Sequence, residues 1–207
     1  MLKSIRWITL CAVVVFAAAC SRDSSTSKES STGTETPVER GRYLVNLGGC
    51  NDCHTPKMQG PGGAPVADTS KLLAGHPENG QVPHWSPEDL KRGVMAATNS
   101  SLTAWAGPWG VSFAINLTPD KETGVGEWSE QNFIQMARTG KHHGQPNGRD
   151  ILPPMPWFNL KDLTDSDLKA IWAYLRSLPA IKNQVPLPIA PGPQPNPSAG
   201  ESTTSRG

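Results

Sequence analysis

Cys50-Asn51-Asp52-Cys53-His54 is the stretch of sequence that decides the fold. Cys50 and Cys53 are three positions apart, so a single helical turn would present both thiols on one face. His54 follows directly and adds an imidazole next to them. Two cysteines and a histidine at this spacing are typical of the covalent attachment of a c-type haem, with the histidine as a ligand of the iron.

Three other interpretations of these five residues remain open. A structural zinc ion takes four ligands, usually from two such clusters, and this chain has no second Cys pair. A redox dithiol is expected in a thioredoxin-like βαβ setting, and the sequence shows no strand-rich pattern. A disulfide could also close a loop. The export signal described next favours the haem interpretation.

The N-terminus has the pattern of a secretion signal. Lys3 and Arg6 form a basic start, and an apolar run over 7–19 ends in small residues. This run is shorter than the ~20 residues that cross a bilayer as a helix. We therefore predict that residues 1–19 are a removed signal peptide and that the protein is exported, on the periplasmic side.

Ala17-Ala18-Ala19-Cys20 resembles the lipobox of bacterial lipoproteins, in which the cysteine is lipidated and becomes the first residue of the mature protein. An ordinary A-x-A cleavage site also fits these residues. The Ser/Thr-rich composition that follows is typical of a flexible tether over 20–35. These features predict a lipoprotein that is anchored to the membrane through Cys20.

Composition and charge limit the possible partners. The formal charge of the 207-residue chain is +1, and removing the leader, which carries Lys3 and Arg6 but no acid, leaves −1. This balance gives no indication of nucleic-acid binding. Both ends look unlike folded protein, so we expect one domain over 36–183 and a disordered Pro/Ser/Gly-rich tail over 184–207.

Three longer helices are indicated inside this domain. Thr36, Pro37 and Glu39 have the pattern of a capping box for a first helix that ends at Gly48-Gly49. Ser129 begins a middle helix that ends at Gly140. Thr164 begins a last helix whose apolar stripe has helical spacing: Leu168, Ile171, Trp172 and Leu175.

The remaining segments are rich in Gly and Pro and are predicted to be loops. Residues 55–85 would wrap over the haem, and Ser86-Pro87 would begin a short helix. Gly41 could simply weaken a surface helix. Alternatively, the resemblance of the Cys50–His54 motif to cytochromes c implies that the first helix crosses the last at a small residue, and Gly41 is the candidate for it. The fold class predicted from these patterns is all-α: a small helical domain with long Gly/Pro-rich loops.

Met155 is the candidate for the second axial ligand of the iron. It lies in Pro153-Pro154-Met155-Pro156, where proline restricts the backbone on both sides and predicts a stiff, non-helical loop. Met155 could instead fill a gap in the core. Met58 lies only four residues past His54, too close to reach the other face of the porphyrin, Met95 lacks a rigid frame, and Met136 fits the core face of a helix. The outside candidates for this position are histidines in loops, whose side chains are usually solvated: His76, His84, His142 and His143.

The order of these parts is similar to that of a class I cytochrome c domain. The runs Asn116-Leu117-Thr118-Pro119-Asp120, Thr123-Gly124-Val125-Gly126 and Pro154-Met155-Pro156 resemble the haem domains in cytochrome subunits of membrane-bound alcohol and gluconate dehydrogenases. The resemblance covers about 37–179. Those subunits carry three haem motifs, and this chain has one.

The resemblance implies one covalent haem c, with thioethers at Cys50 and Cys53 and with His54 and Met155 as axial ligands. Filled axial positions would leave the iron to change oxidation state without binding substrate. The expected function is that of an electron carrier, not an enzyme, between redox protein partners. The alternatives are a five-coordinate haem sensor or peroxidase-like protein, and the haem subunit of a membrane-associated dehydrogenase.

Overall fold

The computed structural model describes residues 34–192, in which the secondary structure alternates between helices and short hairpins. The helices are α1 (Pro37–Leu47), α2 (Cys50–His54), α3 (Pro87–Lys91), α4 (Glu130–Thr139), α5 (Trp157–Leu160) and α6 (Asp165–Ser177). The strands are β1 (Lys57–Gln59), β2 (Pro65–Ala67), β3 (Ala97–Thr98), β4 (Ala104–Gly107) and β5 (Gly110–Phe113). None of the helices within 34–192 has the length and apolar character needed to span a membrane.

The all-α prediction is wrong, because the segment between α2 and α4 forms two small antiparallel sheets. One is the hairpin β1-β2, and the other has the order β3-β4-β5. In the second sheet Trp105 of β4 lies opposite Ser112 of β5. Strands of two to four residues are too short to show a clear alternation of apolar and polar residues. Their backbone groups still need hydrogen-bond partners when they are buried, and the sheets provide them.

The predicted first helix is confirmed, with its capping box. The Thr36 side chain accepts a hydrogen bond from the Glu39 backbone amide at 3.2 Å. The Glu39 carboxylate in return accepts one from the Thr36 amide at 2.9 Å. These bonds satisfy amides that would have no partner at the start of a helix.

The middle helix also begins and ends where the sequence predicts, and the last helix begins where the sequence predicts. Ser129 caps α4 in a reciprocal arrangement with Asn132, and Gly140 ends this helix in a left-handed conformation. Thr164 caps α6 through the Asp167 amide at 3.1 Å. The stripe on α6 is buried in one core together with residues of α1 and α4: Val45, Phe133, Ile134, Met136, Leu168, Ile171, Trp172 and Leu175.

Helices α1 and α6 pack closely at Gly41. A β-carbon placed on Gly41 would lie 1.9 Å from the Ala170 carbonyl oxygen and 2.8 Å from Cβ of Tyr174. The crossing therefore requires a glycine, as one of the two interpretations of Gly41 predicted. Arg40 and Asp167 form an ion pair of 2.9 Å between the same two helices.

The chain after α6 runs along the domain as far as 192. Ile189 forms an isolated antiparallel bridge with Val111 of β5, with backbone hydrogen bonds of 2.9 and 3.0 Å. The Asn183 side chain donates to the carbonyls of Ala74 and His76 at 2.7 and 2.8 Å. Residues 184–192, which the sequence assigned to a disordered tail, are thus in contact with the domain. The remainder of that predicted tail, 193–207, lies outside the described residues.

The Gly41→Ala variant should be less stable than the natural protein by about 1–3 kcal/mol, because the added methyl group overpacks the helix crossing. Alanine would otherwise stabilise an exposed helical position by about 1 kcal/mol relative to glycine. Chemical denaturation of both proteins measures the difference. Arg42→Ala, an exposed change one residue away, is the control and should alter stability little. If Gly41→Ala were as stable as the natural protein, the close crossing would be refuted.

Candidate functional site

A cavity of about 630 Å³ lies between the helices and the second sheet. Its size is in the range of about 300–1,000 Å³ that is usual for cofactor and ligand sites. Its wall is largely apolar and comes from every helix except α3, from β4, β5 and from the connecting loops. Prominent wall residues include Leu44, Leu117, Trp128, Phe133, Ile171 and Leu175. Such a wall suits a large apolar group.

Cys50, Cys53 and His54 all line this cavity from the single turn of α2. Both thiols are free and partly buried. Burial raises the pKa of Cys50 and also that of Cys53, so each is held as the neutral thiol. The turn therefore presents two protonated sulfur atoms and an imidazole to the same apolar space.

His54 is oriented by a hydrogen bond to the backbone. Its Nδ1 lies 2.8 Å from the carbonyl oxygen of Ile115, and because a carbonyl only accepts, Nδ1 carries the proton. Burial lowers the pKa of His54, which favours the neutral ring. A neutral imidazole with Nδ1 protonated leaves Nε2 as the metal-binding atom, the usual arrangement of a histidine ligand.

The acceptor for His54 comes from a distant part of the chain, because Ile115 lies 61 residues beyond the histidine. Local sequence carries no signal for a contact of this separation. Ile115 lies at the cavity wall because it follows β5 directly, together with Ala114 and Leu117.

A short segment, 73–76, holds the Ile115 region against α2. The Gly75 amide donates to the His54 carbonyl at 2.8 Å, and the His76 amide donates to the Ala114 carbonyl at 2.8 Å. The Leu117 amide donates back to the Leu73 carbonyl at 2.9 Å. The segment thus joins the two partners of the His54 hydrogen bond.

Met155 also lines the cavity, on a non-helical loop before α5. Two contacts hold this loop in place. The Ser112 hydroxyl of β5 donates to the Pro153 carbonyl at 2.5 Å. The Ile151 amide donates to the Gly140 carbonyl at 2.8 Å, next to the end of α4. The structure therefore brings Met155 into the same cavity as the two cysteines and His54.

The other methionines of the domain differ in whether they line the cavity. Met58 and Met95 have 53% and 62% of their surface exposed and are not part of the cavity wall. Met136 is buried on α4 and does line the cavity. Of these three methionines, Met136 is the one that competes with Met155 for contact with a bound group.

The histidines divide in the same way. His76 is fully buried outside the cavity and bonds to the Thr103 hydroxyl at 2.8 Å, contrary to the expectation of a solvated side chain. His84 is exposed, and His143 packs on Trp128 at 4.5 Å between ring centroids. His142 lines the cavity, and burial, with smaller contributions from the positive charge of Arg149 and from His143, lowers its pKa to about 4.

Several wall residues could not be assigned from the sequence. Trp105 and Phe113 line the cavity, whereas Trp109, in the same aromatic segment, does not. Ser112 had no motif to mark it, and neither did Arg149, which also lines the cavity. Cys20, the predicted lipidation site, lies outside the described residues.

Curated relatives of this chain include cytochromes, at low identity. The chain is 31% identical over 137 residues, 66% of its length, to the gluconate 2-dehydrogenase cytochrome c subunit of Pantoea cypripedii. It is 33% identical over 146 residues, 70% of its length, to a dihaem cytochrome c-type protein of Cereibacter sphaeroides. It is also 30% identical over 120 residues, 51% of its length, to one of the subunits of nicotinate dehydrogenase from Pseudomonas putida.

These relatives are much longer than the aligned region. The chain covers 22% of the gluconate dehydrogenase subunit, 36% of the dihaem cytochrome and 10% of the nicotinate dehydrogenase subunit. No protein-family model matches the chain. The similarity supports the cytochrome c family at the level of one segment of these larger proteins.

The Gly75→Ala variant should lose more stability than Gly93→Ala. Both glycines have positive φ, +79° and +85°, so both substitutions impose a backbone strain of about 1–2 kcal/mol. At Gly75 the new β-carbon would also lie 2.6 Å from the Ala114 oxygen and 2.6 Å from the Ile115 carbonyl carbon, whereas Gly93 has no atom within 4 Å. This clash should add about 1–3 kcal/mol.

Thermal and chemical unfolding of the two variants measure this difference. Equal losses for Gly75→Ala and Gly93→Ala would mean that 73–76 is not packed tightly against the Ile115 peptide.

Proposed function

We propose that this protein carries electrons by means of one haem c that is covalently attached to Cys50 and Cys53 and has His54 and Met155 as axial ligands. The observation that carries the proposal is that these four side chains line a single apolar cavity. The similarity to cytochrome c subunits also supports haem c as the cofactor. When bound, the haem would supply a one-electron couple between Fe(II) and Fe(III).

The residues of the site fit this group chemically. Two neutral thiols three positions apart match two vinyl groups of one porphyrin, and each sulfur would form a thioether to the group. The Ile115 carbonyl keeps His54 in the tautomer that binds iron through Nε2. Met155 would supply a thioether sulfur, and a His/Met pair raises the reduction potential.

The protein around the group would control access of water and of partners. Apolar walls from α1, α4 and α6 would exclude water from most of the porphyrin. Leu47 lines the cavity and has 70% of its surface exposed, so the cavity opens to the surface beside it. One electron would enter from a reduced partner protein and leave to an oxidised one. With filled axial positions, the chain itself would not be an enzyme.

A second candidate function is that of the haem subunit of a membrane-associated dehydrogenase. The specific observation in its favour is the similarity to a gluconate 2-dehydrogenase cytochrome c subunit. Purification from membranes under mild detergent distinguishes the two candidates. A large catalytic chain that co-purifies with the haem protein supports the role of a subunit, and a haem protein that is isolated alone supports a separate carrier.

We also propose export and anchoring of the mature protein through a lipid on Cys20, on the periplasmic side of a membrane. The tether over 20–35 would then let the haem domain meet membrane-bound redox partners at a raised local concentration. The sequence pattern of residues 1–20 supports this proposal.

The covalent attachment can be tested by extraction and by mass. The protein, produced in a cell with an active haem-ligation system, should keep its pigment in acid–acetone. Its intact mass should equal that of the chain from Cys20 onward plus one haem and one lipid. A Cys50→Ala/Cys53→Ala variant should lose the haem mass, because no sulfur remains to hold it. Cys20→Ala is the matched control and should lose the lipid while keeping the haem mass. A natural protein without pigment, or one whose pigment is fully extracted, would contradict the proposal.

The axial ligand can be tested with leucine, which keeps the volume of methionine. Met155→Leu should abolish the far-red methionine–iron charge-transfer band of the oxidised protein and let the reduced protein bind CO rapidly. Met136→Leu changes the other methionine in the cavity wall and should keep the band. Loss of the band in Met136→Leu alone would assign the ligand to Met136. Rapid CO binding by the natural protein would indicate a five-coordinate sensor.

A further inference from the structure

Arg149 is the single lysine or arginine in the cavity wall formed by the described residues. The wall has one acidic residue, Asp52, on the turn of α2. The other lining residues are neutral or are histidines. Arg149 therefore places a positive charge in a wall that otherwise consists largely of apolar side chains.

The backbone at Arg149 is fixed in place. The Arg149 carbonyl accepts a hydrogen bond from the His142 amide at 2.9 Å. The next residue, Asp150, pairs with Lys141 through an isolated antiparallel bridge and an ion pair of 2.6 Å. These contacts hold the base of the Arg149 side chain beside the cavity, where His142 lies as well.

No carboxylate within 34–192 pairs with the Arg149 guanidinium. Its one hydrogen bond there goes to the Asp150 carbonyl at 3.1 Å, whereas Lys141 next to it has an acidic partner. Although Arg149 keeps much of its surface in solvent, partial burial of its guanidinium lowers its pKa. The guanidinium is thus partly withdrawn from water and has no carboxylate partner among the described residues, so an anion at the cavity rim could pair with it.

We propose, on the basis of the haem assigned above, that Arg149 binds a propionate carboxylate of that haem. A porphyrin of this kind carries two carboxylates, and a carboxylate at the rim of an apolar cavity needs water or a cation. A guanidinium offers two parallel N–H groups that match both oxygens of a carboxylate. Asp52 has the same charge as a propionate and cannot serve. His142 is adjacent and can donate one further hydrogen bond as a neutral imidazole.

Arg149→Gln and Arg149→Lys test this proposal, with Arg176→Gln as the control. Arg176 donates to the Gly126 carbonyl at 2.8 Å, lies over the Trp172 ring and is not part of the cavity wall. The control therefore removes the same charge from another part of the domain. Three readouts are compared: covalent haem content, midpoint potential, and the propionate bending bands in the resonance Raman spectrum.

Arg149→Gln should keep a full complement of covalent haem, because attachment depends on the cysteines. Its propionate band should shift, and its midpoint potential should fall, since a nearby positive charge disfavours the oxidised iron. Arg149→Lys keeps the charge but cannot form a bidentate hydrogen bond, so it should shift the propionate band with a smaller change in the midpoint potential. Arg176→Gln should leave the propionate band unchanged.

An Arg149→Gln protein with the natural propionate band and potential would overturn the inference while leaving the haem proposal intact. An unchanged band together with slower electron transfer to a partner would overturn it as well, in favour of a role of Arg149 in binding an acidic partner surface. Absence of covalent haem from the natural protein would instead overturn the proposed function itself, and this inference with it.

Discussion

The hydrogen bond from His54 Nδ1 to the Ile115 carbonyl is the interaction on which the arrangement of the site depends. It joins the helical turn that carries the two cysteines to the chain that leaves β5. Gly75 and His76 bind to both of these partners through their backbone amides. Three chain segments that are far apart in sequence are thus tied together around one imidazole. A histidine ring held this way keeps its tautomer and its direction, which a metal ligand requires.

Further hydrogen bonds connect this arrangement to the C-terminal part of the chain. Asn183 bonds to two carbonyls of the 73–76 segment, and the Asn183 carboxamide oxygen accepts from the Glu78 amide at 3.1 Å. Asn116, next to Ile115, donates to the Ile181 carbonyl at 2.7 Å. The residues after α6 therefore hold the acceptor of the His54 hydrogen bond in place. These bonds link the middle of the domain to the residues after α6, so the C-terminal part of the described chain contributes to the position of the ring.

The helices were predictable from sequence because the signals that begin and end them are local. Thr36 with Glu39, Ser129 with Asn132, and Gly140 each act within one turn of the chain. The close crossing at Gly41 was one of two interpretations of this glycine, and it came from the resemblance to cytochrome c domains and not from a local signal. Met155 and the cysteines stood out because proline and a fixed spacing mark them. Their placement around one cavity is a property of the structure that the sequence had only suggested.

The parts that were not predictable depend on contacts between distant residues. The acceptor at Ile115 is 61 residues from His54, and Asn183 is 109 residues from Ala74. The small sheets were missed because their strands have two to four residues and lie among glycines and prolines. Arg149 has no motif of its own, and its interest arises from the apolar wall that surrounds it. Nothing in the residues next to these positions indicates their partners.

The size of the cavity gives a thermodynamic reason for a permanent cofactor. Side chains that line a largely apolar space of about 630 Å³ lack packing partners on one side, which weakens the fold as long as the space is not filled by an apolar group. Water would fill this space poorly, because a buried water molecule needs several polar partners and this wall has few. A reversibly bound group would stabilise the fold only while its free concentration exceeded its dissociation constant. Thioether bonds at Cys50 and Cys53, as proposed above, would remove that dependence and keep the core filled.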